Sequence, residues 1–118
     1  MDRITLTGIR AVGYHGVFEH ERREGQPFVV DVELRLQLDT TSDQLDGTVN
    51  YAEVAQAIED IITGEPRNLI ETVAGEIAGR CLAFTGVQSV QVTVHKPKAP
   101  LPQSFSDVAV TITRSLND

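Results

Sequence analysis

The chain has 118 residues, 41 % apolar and 5 % aromatic, with 10 basic against 17 acidic side chains and a net charge of −7. That length supports one domain with one sizeable core, taken here as residues 1–118. An acidic chain with no basic run argues against a nucleic-acid partner, which needs clustered Lys and Arg.

In chain order, RITLTGIRAVG opens with Ile4 and Leu6 on one parity, then switches at Gly8 to Ile9 and Ala11. A glycine at such a switch predicts a strand with a bulge. Tyr14–Gln26 reads as an irregular segment. PFVVDVELRLQL then alternates cleanly, with Phe28, Val30, Val32, Leu34, Leu36 and Leu38 on one face and Asp31, Glu33, Arg35 and Gln37 on the other. That is a long, half-buried strand. From Tyr51, the residues Val54, Ala55, Ile58 and Ile62 recur at helical spacing. From Leu69, Ile70, Val73, Ala74, Ile77 and Cys81 do the same, after a short turn at GEPRN. Val87–Lys96 alternates again, Pro97–Ser106 is irregular, and DVAVTITR supplies Val108, Val110 and Ile112 as a last strand.

Strand–strand–helix–helix–strand–strand predicts an α+β fold, an antiparallel four-stranded sheet with both helices on one face. Irregular segments between strands are where binding and catalytic groups tend to sit. A four-stranded sheet has two edges to protect, so pairing between subunits into a barrel is expected.

Several chemistries lack their residues. His15, His20, His95 and the single Cys81 show no HxH, HExxH or CxxC spacing, and the chain has no GxSxG, Walker A or dinucleotide fingerprint. No metal or other cofactor is expected. One cysteine permits no intramolecular disulfide and fits a reducing compartment. No apolar run approaches ~18 residues, so no membrane span is expected. The opening MDRITLTGIR lacks the layout of a signal peptide. A cytoplasmic protein is the expectation.

Four side chains carry the remaining chemistry, each with a plainer alternative. Lys96 follows Val90, Val92 and Val94 in parity, a cation at the end of an apolar row. Either the strand has ended and the amine reaches water, or it is a partly desolvated ammonium that yields its proton more readily. The prolines of PKAPLP stiffen the exit in both cases. Glu71 stands three residues after Asn68, a capping-box spacing. It could instead present an anion, favoured by the helix dipole, to the donor edge of a heterocycle. Tyr51 heads an apolar stripe and is packing, or a platform with a proton-bearing tip. Glu21, in FEHERREG, is by default a solvated charge.

Together GYHGVFEHERREGQPF, TVNYAEV, NLIETVAGEIA and VHKPKAPLP, in this order and spacing, strongly resemble bacterial dihydroneopterin aldolase of folate biosynthesis. The resemblance runs from Ile4 to Arg114. It implies the tunnelling fold, β-β-α-α-β-β, with the sheets of neighbouring subunits joined into a barrel and homo-octamers of two stacked tetramers. It implies retro-aldol cleavage of a small-molecule pterin, 7,8-dihydroneopterin, to 6-hydroxymethyl-7,8-dihydropterin and glycolaldehyde, needing neither metal nor Schiff base. Lys96 then matches the catalytic lysine near N5, and Glu21 the glutamate organising water and proton transfer. Tyr51 matches the tyrosine that stacks near the pterin and shuttles a proton. Glu71 matches the anchor of the 2-amino and N3–H groups, with the Ile70 backbone alongside. Thr48, Val49 and Asn50 match a segment completing the pocket from the adjacent subunit, and Leu101 and Pro102 border its mouth. Epimerase and oxygenase side activities also occur in the family. Two other readings remain at this point: a 2′-epimerase of dihydroneopterin or its triphosphate, and a non-catalytic pterin-binding protein.

Overall fold

The computed structural model describes residues 1–117. Strand β1 (Asp2–Gly13) is followed by a short helix α1 (Glu19–Glu24), strand β2 (Gln26–Leu36), helices α2 (Tyr51–Ile62) and α3 (Ile70–Leu82), and strands β3 (Ser89–His95) and β4 (Ala109–Ser115). The sheet is an antiparallel meander in the order β1-β2-β3-β4. Its edges are β1 and β4.

The alternation of β2 is realised fully. Phe28, Val30, Val32, Leu34 and Leu36 are all at most 2 % exposed and face the helices. Val90, Val92 and Val94 of β3 join them. Val54, Ile58 and Ile62 of α2 and Val73, Ala74, Ile77 and Cys81 of α3 close the core from above. Helix α2 lies over β1, and α3 over β3 and β4. Burial pushes the Cys81 thiol up to about 11, so it serves as a small core residue.

The parity switch in β1 is a bulge, as expected. The β1–β2 register shifts between Leu6 and Ile9, and Gly8 adopts φ +77°. Its N–H, displaced from the ladder, donates to Asp31 Oδ1 at 2.7 Å.

Two expectations need correction. Tyr14–Gln26 is not wholly irregular, since α1 occupies its centre. Its first turn is closed by the Glu21 carboxylate, which accepts from the Phe18 N–H, and it stops at Gly25 with φ +72°. Asn68 does not cap α3 either. The capping residue is Leu69, with no side-chain cap bond, and Asn68 Oδ1 instead accepts from the Arg22 guanidinium. The cap spacing fails because Asn68 is drawn toward α1.

Candidate active site

The ladder between β3 and β4 runs one bond beyond β3: the Lys96 N–H donates to the Val108 C=O at 2.7 Å. Lys96 therefore keeps strand parity and points to the helix-covered side, after Val94. It does not reach water freely, since its side chain is 13 % exposed. Its Nζ lies 2.6 Å from Glu21 Oε2.

Glu21 is not the solvated charge its surroundings in sequence suggested. The residue is 3 % exposed, on the inner side of α1. Oε1 accepts from the Phe18 N–H at 3.2 Å, and Oε2 accepts from the Gln26 amide at 3.0 Å as well as from Lys96. Burial is the largest influence and would raise the carboxyl's pKa. The Lys96 ammonium, the Phe18 N–H and the Gln26 amide together outweigh it and hold the group below its usual range. Gly16 lets the carboxylate in, because a Cβ there would overlap Glu21 Oε1.

The ion pair borders a cavity of about 310 Å³. Ile70 and Glu71, in the first turn of α3, form one wall, and Ala99, Pro100 and Leu101 form part of another. The first N–H groups of a helix have no intrahelical acceptor, so this turn offers donors beside the exposed Glu71 carboxylate. Val17, Phe18, Leu69, Val108 and Val110 make the remaining walls largely apolar. Such a site suits a flat heterocycle read by a few polar groups.

The structure thus brings together Lys96, Glu21, Ile70, Glu71 and Leu101. Pro102 is not among the cavity's lining residues, and Thr48, Val49, Asn50 and Tyr51 are elsewhere. Thr48, Val49 and Asn50 border a separate cavity of about 470 Å³ with Phe84 and Thr85. Val49 is 4 % exposed, within the core, and the Asn50 carboxamide oxygen accepts from the Ala52 N–H to cap α2. Tyr51 is 65 % exposed. Sequence reasoning missed Gln26, which had no signal beyond its place in GQPF, and Phe18, whose main chain rather than ring does the work.

The chain and its fold match known proteins over nearly their whole length. The family model for dihydroneopterin aldolase fits residues 4–113. The chain belongs to the dihydroneopterin aldolase family. The dihydroneopterin aldolase of Streptomyces coelicolor is 49 % identical over 117 residues, covering 98 % of each chain. That of Bacillus subtilis is 44 % identical, covering 97 % of this chain and 98 % of its own. Among solved structures, E. coli dihydroneopterin aldolase in complex with neopterin superposes with a TM-score of 0.85 at 28 % identity, over 98 % of this chain and 100 % of that one. A Burkholderia dihydroneopterin aldolase bound to guanine gives 0.79 at 25 % identity, over 97 % and 90 %. Family membership makes the chain an aldolase of folate biosynthesis. No described helix is long and apolar enough to cross a membrane.

Proposed function

We propose that the chain cleaves the C1′–C2′ bond of 7,8-dihydroneopterin, with the Lys96–Glu21 pair working on the side chain while Glu71 holds the ring. The observation that carries this reading is an ammonium–carboxylate contact of 2.6 Å, largely withdrawn from water, on a cavity that Glu71 also lines. Glu71 accepts from the 2-amino and N3–H groups, with the Ile70 N–H alongside. Loss of the 2′-hydroxyl proton to the water organised by Glu21 starts the reaction. The C1′–C2′ bond breaks, its electron pair enters a C6=C1′ double bond, and N5 takes a proton from the Lys96 side. Glycolaldehyde departs. C1′ is then protonated through the Tyr51 hydroxyl, N5 returns its proton to the Lys96 amine, and 6-hydroxymethyl-7,8-dihydropterin remains. The substrate's N5=C6 imine is the electron sink, so the amine acts as a proton donor and charge stabiliser. Glu21 holds that amine in place between turnovers, and organises water at the side chain.

Tyr51 and the Thr48–Asn50 segment act from a second subunit in this reading. Their separation from Lys96 within one chain and the two open edges at β1 and β4 support sheets joined into a barrel across subunits; two stacked tetramers are the assembly that the family resemblance implies. The reducing cytoplasm is the fitting compartment for the free, buried Cys81.

Anaerobic incubation of the purified protein with 7,8-dihydroneopterin, followed by identification of every product, tests the reaction. Glycolaldehyde and 6-hydroxymethyl-7,8-dihydropterin in equal amounts are expected. A 2′ stereoisomer alone would make the chain an epimerase, and binding without turnover would make it a carrier. Mixing dissociated and reassembled Lys96→Ala and Tyr51→Phe subunits tests the shared site. Activity restored above that of either variant is expected, because some hybrid sites combine intact halves.

A further inference from the structure

Arg67, in the turn between α2 and α3, is held at both of its main-chain polar groups by two consecutive residues of the segment before α1. Its N–H donates to His15 Nδ1 at 3.0 Å, and its C=O accepts from the Gly16 N–H at 2.9 Å. A main-chain N–H can only donate, so Nδ1 is the ring's unprotonated nitrogen. Nε2 therefore carries the hydrogen and donates to the Ile62 C=O at 2.8 Å, at the end of α2. His15 is a neutral imidazole in one tautomer, 1 % exposed, with its ring edge-on to Phe28 at 5.2 Å between centroids. Burial, the largest influence, lowers its pKa and keeps it neutral. Its charged neighbours are Arg22 of α1, Arg67 of the turn and Glu76 of α3, while β2 contributes only the Phe28 ring.

What each side of this clamp carries is decisive. Gly16 lies against the Glu21 carboxylate, and its C=O accepts from Arg22 Nε at 2.9 Å. Arg67 leads through Asn68 and Leu69 directly into Ile70 and Glu71. The imidazole thus joins the segment that positions the reacting ion pair to the segment that forms the ring-holding wall, beside the Gly16 N–H on the Arg67 C=O and the Arg22 guanidinium on Asn68 Oδ1.

We propose that His15 is a positioning residue for the aldolase reaction. It sets the span between Glu21–Lys96 and Ile70–Glu71 without touching substrate. This rests on the roles assigned above to those four residues. With the imidazole's bonds cut, each half of the site stays intact and the Gly16–Arg67 and Arg22–Asn68 bonds still tie the two, but their separation is less sharply fixed. Reacting groups held by the ring at one end and misplaced at the other lose rate rather than ring affinity.

The test uses two substitutions of opposite effect. His15→Asn keeps an acceptor near the place of Nδ1 for the Arg67 N–H, whereas His15→Gln keeps a donor for the Ile62 C=O and loses that acceptor. For each full-length variant, kcat and KM for 7,8-dihydroneopterin are measured with the Kd for 6-hydroxymethyl-7,8-dihydropterin, which shares the ring and lacks C2′ and C3′. Phe28→Leu, destabilised but with both His15 bonds intact, is the stability control, and Lys96→Ala the control for the site itself. His15→Gln should lower kcat about tenfold or more with product Kd within about twofold, and His15→Asn should restore most of kcat. Equal losses in the two His15 variants, a kcat that follows melting temperature as in Phe28→Leu, or failure of both to fold would overturn the proposal. A slow Lys96→Ala beside a normal His15→Gln would overturn this inference alone. An active Lys96→Ala would overturn the reading of the site.

Discussion

Lys96 Nζ and Glu21 Oε2 are 2.6 Å apart, and 13 % and 2 % of their side chains are exposed. Removing one member of such a pair strands the other charge, at a cost of about 3–5 kcal/mol, whereas removing both costs far less. Lys96→Ala should therefore slow kcat by about 10²-fold or more and lower the melting temperature. Adding Glu21→Ala should recover part of the melting temperature, the Phe18 N–H and Gln26 amide having lost their acceptor, but not kcat. Thermal unfolding and steady-state kinetics on the three variants check this. A double variant as unstable as Lys96→Ala would mean that the carboxylate is not the source of the strain.

Glu71→Gln should separate binding from chemistry. Its oxygen could still accept one hydrogen bond, but the new amide would set a donor against a donor of the ring edge. One unsatisfied buried donor costs about 1–3 kcal/mol, so KM should rise about tenfold while kcat changes much less. Equal effects on KM and kcat would contradict that division of labour.

His95 makes the outer face of the sheet pH-sensitive. Its Nδ1 lies 2.6 Å from Asp107 Oδ2 and its Nε2 2.7 Å from Asp31 Oδ2, so both nitrogens donate and the ring is an imidazolium. The Asp107 carboxylate is the largest influence; with Asp31 it outweighs partial burial and raises the pKa above 6.5. A raised folded-state pKa stabilises fully below the unfolded value and loses that stabilisation as pH rises through the folded value. Melting temperature should therefore decline from about pH 6.5 upward, and His95→Gln should flatten that decline over the same interval. Melting curves at fixed ionic strength check it.

Gly16→Ala should disable the site from a residue with no functional group. The backbone there has φ +148°, and the added methyl would overlap the Glu21 carboxylate. Backbone strain of about 1–3 kcal/mol combines with expulsion of the carboxylate from its Phe18 and Gln26 donors. Activity should fall with Glu21 displaced, and the melting temperature should fall too. A Gly16→Ala variant with full activity would show that Glu21 works from another position.

Where one face of an element packs against the core, its pattern was legible. The row Phe28 to Leu36, the stripe Val73–Ile77–Cys81 and the parity switch at Gly8 each record a single buried face. Lys96 was legible in direction for the same reason. Helix α1 was not, because EHERRE has no apolar stripe: its one inward residue is a carboxylate met by a lysine 75 positions later. The spacing at Asn68 misleads because a cap is local, whereas the Arg22 guanidinium that claims the side chain is not. His15 carried no spacing signal, since both of its partners are main-chain atoms, of Ile62 and Arg67. Tyr51 and Thr48–Asn50 matched a family motif, yet no motif states how far apart its parts lie within one chain.

The bulge at Gly8 has a consequence for errors in folding. Gly8 N–H, Asp31, His95 and Asp107 form one polar row that crosses β1, β2, β3 and the approach to β4. In β2 or β3, a slip of one residue would turn Asp31 or His95 toward the hydrocarbon side. The row therefore favours the observed β2–β3 frame, and Lys96 follows His95 by a single residue.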